Sequence, residues 1–107
     1  MASPAPLNLV MHPHALAEMR DSISYYRDEE NALLADEFAT EIDRSLDLIL
    51  ERPMIGKPFR RVARQFVIKR FPYSLFYQVR TDSVLIAAVA HHRRRPGYWI
   101  MRLRNGF

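Results

Sequence analysis

Between Leu34 and Pro53 the chain admits one local structure. Leu34, Phe38, Ile42, Leu46 and Ile49 recur at three- and four-residue spacing, the apolar stripe of an amphipathic helix. Asp36, Asp43, Asp47 and Glu51 fall on another side at the same period and read as a solvated face. Asn31 stands where an N-cap is needed, and Pro53 stops the helix by pushing the residue before it out of the α region. Beyond Met54-Ile55-Gly56-Lys57-Pro58 the period changes from 3.6 to 2. A chain that makes this change once builds helices first and a sheet afterwards.

The same reading extends in both directions. Leu7 to Met11 alternates as a first strand, and Pro13 suits the first turn of a helix carrying Ala15, Met19, Ile23 and Tyr26 on one stripe. Arg27 to Glu30 is the polar break between the two helices. In the second half, strands are expected over Phe59–Ala63, Phe66–Phe71, Tyr73–Arg80 and Ser83–Ala90, with Thr81-Asp82 as a tight turn. The predicted fold is α+β, in the order β-α-α-β-β-β-β: an N-terminal strand, a helical hairpin, then a mainly antiparallel four-stranded segment. Residues 1–6 are expected to be a disordered tail, 7–99 a single domain and 100–107 a C-terminal tail.

Composition enters through charge. Residues 1–52 hold eleven acids and four bases, whereas residues 53–107 hold twelve bases and one acid, Asp82. A basic half of this kind points to an anionic partner, nucleic acid among the possibilities. Fourteen of the sixteen bases are arginine, whose planar fork suits phosphate and carboxylate. The absence of cysteine excludes disulfides, thiolate metal sites and thiol nucleophiles. His12 and His14 flank Pro13, and His91 and His92 are adjacent, but nothing completes a ligand set, so no metal or other cofactor is expected. The longest apolar run, Val84–Ala90, is too short to cross a bilayer, and no secretory signal precedes Leu7. The expectation is a cytoplasmic protein without a membrane partner.

Antiparallel pairing of the last two strands should bring Arg70 and Tyr73 beside His91, His92 and Arg93. Such a cluster has two chemical readings. It could cut RNA, with a base for a ribose hydroxyl and arginines on the phosphorane charge. It could equally bind, with arginines on phosphate or carboxylate and aromatics stacking. The structural alternative keeps Tyr73 and Tyr77 in the core and has Arg70 pair with a helix carboxylate such as Glu41.

The element order, the helix end Ile49-Leu50-Glu51-Arg52-Pro53, the motif Arg70-Phe71-Pro72-Tyr73 with Tyr77, and the ending His91, Arg93, Arg94, Pro96 and Trp99 resemble the RelE/ParE superfamily of toxins from bacterial type II toxin–antitoxin modules. The resemblance covers roughly residues 7–99. It implies a small cytoplasmic toxin that forms a hetero-oligomer with a cognate antitoxin. RelE-type members are ribosome-dependent mRNA endonucleases, and ParE-type members inhibit DNA gyrase. The RelE pattern places one arginine at the position of Ser74 and another at that of His92, and its C-terminal tyrosine falls near Tyr98. With only part of the nuclease set present, the resemblance is closer to ParE and implies a gyrase inhibitor rather than an enzyme. Arg70, Tyr73, Tyr77, His91, Arg93, Arg94, Arg95 and Trp99 are then the candidate contacts to target or antitoxin. The alternative, a metal-independent nuclease acting on ribosome-bound mRNA, would use His91, His92, Arg93 and Tyr98.

Overall fold

A computed structural model describes residues 7–104. Strand β1 (Asn8–Met11) leads into α1 (Pro13–Glu29) and α2 (Ala32–Glu51), followed by β2 (Lys57–Phe59), β3 (Ala63–Val67), β4 (Tyr73–Val79), β5 (Ser83–His91) and a single-turn α3 (Met101–Arg104). Among the described residues the five strands form one sheet in the order β1-β5-β4-β3-β2. All neighbours are antiparallel except β1 and β5, which run parallel from Asn8↔Ser83 to Met11↔Ile86. The expected α+β order is therefore the observed one.

The helix boundaries follow the expected residues. Pro13 opens α1, and the His12 Nδ1 accepts from the His14 N–H at 3.0 Å. Asn31 Oδ1 accepts from the Leu34 N–H at 2.8 Å, the N-cap of α2. The stripe Phe38, Ile42, Leu46 and Ile49 is buried on the sheet, while Asp36, Asp43, Asp47 and Glu51 are exposed. Tyr26 and Phe38 meet Phe71 and Tyr73 with ring centroids 4.8–6.3 Å apart, an aromatic joint between the hairpin and the start of β4.

The sheet departs from expectation at two turns. The strand expected over Phe59–Ala63 is instead a hairpin tip, with Arg60 and Arg61 at φ 47° and 60° and Val62 N–H closing onto Phe59 O. The strand expected to reach Phe71 ends at Val67. Pro72 has no N–H to give a ladder, and Arg70, at φ 73°, turns the chain so that Ile68 N–H reaches Tyr73 O at 2.9 Å. Beyond Trp99, where a tail was expected, Ile100 and Leu103 pack with Trp99 and Phe76 under the second face of the sheet. The domain thus continues to Arg104, because these side chains cover apolar area that β4 and β5 leave open. The expected tail at 1–6 and the last three residues of the other lie outside the described residues.

A slip in the β4–β5 ladder divides the sheet's two faces. Phe76 pairs with Ala88 but Tyr77 with Ile86, so Ala87 is the extra residue of a bulge. Val84, Ile86 and Val89 face the helices, whereas Ala87, Ala88 and Ala90 face Trp99.

Candidate functional site

The C-terminal end of β5 carries the chemistry. Tyr73 pairs with His91, their rings 4.9 Å apart and edge-on, and His92 N–H donates to Pro72 O at 2.8 Å. Tyr73, His91 and Arg93 line a cleft of about 440 Å³ with Tyr25, Tyr26 and Glu30. Burial, then the neighbouring Arg93 and His92, pull the His91 pKa below its ordinary value. His91 Nδ1 also accepts the Arg93 N–H at 3.0 Å.

A second cavity, of about 300 Å³, opens from the opposite face beneath His92, Arg94 and Arg95. Its walls include Phe59, Phe76 and Pro96. Ser74, fully buried, has its hydroxyl 2.9 Å from His92 Nε2 and accepts from Gln65 Nε2 at 3.0 Å. Tyr98 borders this cavity with its ring beneath Arg94, whose Cζ lies 3.9 Å from the ring centre. Its hydroxyl donates to Glu18 Oε2 at 2.6 Å. Burial and that carboxylate push the Tyr98 pKa far above the ordinary phenol value.

The sequence-derived candidates therefore separate. His91, His92 and Tyr98 border one cavity, and Arg94 and Arg95 lie at its rim. Arg93 faces the cleft on the other side. Arg70 is turned away to α2, where its Nη2 lies 2.9 Å from Glu37 Oε2 rather than on the expected Glu41. Tyr77 and Trp99, also among the expected contacts, are fully buried in the fold. Tyr77 donates to Pro53 O and accepts from Gly56 N–H, each at 2.8 Å, and Trp99 stacks against Phe59 and Phe76. Among the described residues no group of three or more His, Asp or Glu side chains could hold a metal ion.

A family model for the ParE toxin of the type II toxin–antitoxin system parDE matches residues 9–96. The chain belongs to the ParE toxin family. A solved structure of a chromosomal ParDE TA system from P. aeruginosa is similar in fold, with a TM-score of 0.72 at 16% identity over 79% of this chain and 95% of that one. No curated protein matches the chain. The ParE match stops at Pro96, so Tyr98 and Arg102 lie beyond it while Glu18, which binds both, lies within it.

Sequence reasoning about this ParE chain missed Glu18, Gln65, Arg60 and Arg102. Glu18 had a legible signal: it stands three residues from Ala15 and four from Ser22, on the face where those two are buried. A carboxylate on a buried helix face needs a partner. Gln65 and Arg102 carried no such mark, since the register and the fold of the last turn decide where they point.

Proposed function

We propose that this ParE-family toxin acts by binding rather than cutting, with DNA gyrase as target and a cognate antitoxin as the cytoplasmic partner that neutralises it. The observation that carries the reading is the state of the groups an RNA-cleaving centre would use. Proton transfer in a transition state needs groups placed to exchange a proton with the substrate. Here the Tyr98 hydroxyl is committed to Glu18, His92 Nε2 to buried Ser74, and His91 Nδ1 to the backbone of Arg93. Ser74 itself stands where the RelE pattern would place an arginine, and it offers no charge to a phosphorane.

Binding by an antitoxin is supported by apolar surface at the β2–β3 side. Met54 and Val62, 65% and 38% exposed, border a cleft with Pro58 and Arg61. Clustered exposed apolar groups of this kind mark surfaces that a partner covers. Among the described residues no helix is long and apolar enough to cross a membrane.

Purified chain added to DNA gyrase should inhibit supercoiling, and stoichiometric antitoxin should restore it. Primer extension on ribosome-bound message should show no new 5′ ends on induction. Unimpaired supercoiling together with new ends would replace this reading by the mRNA endonuclease.

A further inference from the structure

Two backbone irregularities converge on the cavity beneath His92. Arg60 holds a left-handed φ of 47° at the β2–β3 tip, a conformation that costs a side-chain-bearing residue about 1–2 kcal/mol. Gly97, at φ 78°, lies so close to Arg60 Nη1 that a Cβ there would collide with it. The strained turn and the glycine together set the Arg60 guanidinium against the loop that carries Arg94 and Arg95, with its Cζ 5.2 Å from the Phe59 ring. Among the described residues none of these three arginines makes an ion pair, and no carboxylate lines the cavity. The two-residue hairpin turn closed by Val62 N–H on Phe59 O requires the left-handed conformation at both Arg60 and Arg61.

The cavity beneath is built in parts. Phe59, Phe76 and Pro96 form an apolar slot, and Gln65 and His92 add polar groups. The Ser74 hydroxyl accepts from Gln65 Nε2 and shares a hydrogen bond with His92 Nε2. That leaves Gln65 Oε1 and His92 Nδ1 with no other partner among the described residues. An apolar slot with aromatic walls, two polar side chains and a rim of guanidiniums match a flat heterocycle carrying phosphate. An acidic aliphatic peptide would use the rim but has no flat ring to lie against Phe59 and Phe76. About 300 Å³ admits one base with its sugar, leaving the phosphate at the rim.

We infer that this cavity binds a nucleotide unit, the base in the slot against Phe59 and Phe76 and the phosphate on Arg60, Arg94 and Arg95. The site goes beyond the gyrase reading and stands without it. The unit has two possible sources, a free mononucleotide or the end of a single strand.

Titration calorimetry of the purified chain tests this with the four ribonucleoside 5′-monophosphates, the matching nucleosides, inorganic phosphate, a 5′-phosphorylated trinucleotide and a Glu-Leu repeat peptide. At least one mononucleotide should bind with a Kd below about 1 mM, and its nucleoside and inorganic phosphate each at least about tenfold more weakly. A trinucleotide tighter than the monomers identifies a strand end, and equal affinity a free nucleotide. Arg60→Gly relieves the turn, so the variant should melt no lower than the parent yet bind about tenfold more weakly. Arg95→Ala, at an exposed position, should weaken binding in the same direction. The proposal is overturned by phosphate binding as well as nucleotide, by the peptide binding where nucleotides do not, by no binding at all, or by unchanged affinity in both arginine variants.

Discussion

Glu18 and Arg102, 84 positions apart, meet fork to fork: Arg102 Nη1 and Nη2 donate to Glu18 Oε1 and Oε2 at 2.8 and 3.0 Å. The pair stands where a strand is missing. β1 stops at Met11, opposite Ile86, and among the described residues no strand pairs with the outer edge of β5 beyond that point. Arg102 Nη1 also donates to Ala87 O at 2.9 Å, and Glu18 Oε1 accepts from Val89 N–H at 3.2 Å. A side-chain ion pair thus closes the backbone groups that a longer β1 would have taken, and it covers an edge that could otherwise recruit another chain. With Tyr98 on the same carboxylate, one residue of α1 fixes both the bulged strand and the loop that carries Arg94.

Glu18→Gln should therefore cost far more than an exposed ion pair. Both side chains are only 15–16% exposed, and the change leaves Arg102 without its counter-charge. Breaking a buried, hydrogen-bonded pair from one side costs about 3–5 kcal/mol, and the residual exposure places this one near the lower end. Urea unfolding at pH 7 measures it. Replacing both residues by leucine should destabilise by less than the sum of the single changes, because neither then leaves a buried charge.

Tyr77 is a tie between β4 and the end of the helical hairpin, so its hydroxyl should be worth more than its contacts. Tyr77→Phe leaves the Gly56 N–H and the Pro53 carbonyl without their partner, at about 1–3 kcal/mol. Gly56→Ala should be at least as damaging, since a Cβ there would stand 2.7 Å from the Tyr77 hydroxyl oxygen and 2.8 Å from Gln65 O. Thermal melts of the two variants against the parent check both. A Tyr77→Phe protein as stable as the parent would show that water replaces the lost bonds.

The elements legible in the sequence were those set by local rules. Asn31, Pro13 and Pro53 act through their own backbone and side-chain chemistry, and the α2 stripe states its buried face outright. The nearness of Tyr73 to His91 also followed from the tight turn at Thr81-Asp82, but that register alone would pair Tyr73 with Ala90, and the Ala87 bulge moves its partner to His91. What was not legible depends on conformations the residue types disfavour. Arg60 and Arg61 occupy left-handed backbone, where an asparagine or glycine would have announced a turn. The candidate site was half visible for the same reason. His91, His92 and Arg94 stand together in sequence, whereas Gln65, Arg60 and Glu18 reach them only through the fold.

Acid should weaken the fold before it protonates the carboxylates. His91 has its folded pKa lowered, chiefly by burial, from an ordinary value of 6.5, and His12 is lowered likewise. A histidine kept neutral by the fold takes up its proton more readily when unfolded, so the contribution is complete above pH 6.5 and declines as the pH falls below it. Tyr98 acts at the other end. Its folded pKa is raised, chiefly by burial, so its contribution is complete below pH 10 and declines above it. Urea midpoints between pH 5 and pH 8 should rise with pH, and His91→Asn should flatten that rise.

Arg70 tests whether a conspicuous basic residue is contact or scaffold. It is exposed, paired with Glu37, and left-handed at φ 73°. An exposed ion pair contributes about 0–1 kcal/mol, and a left-handed arginine costs about 1–2 kcal/mol. Arg70→Gly removes both terms, so its stability should stay within about 1 kcal/mol of the parent's. Its guanidinium is already neutralised by Glu37 and points away from the β5 end, so supercoiling inhibition should survive the change. If Arg70→Gly melts with the parent yet no longer inhibits gyrase, Arg70 belongs to the contact surface and the turn conformation serves to present it.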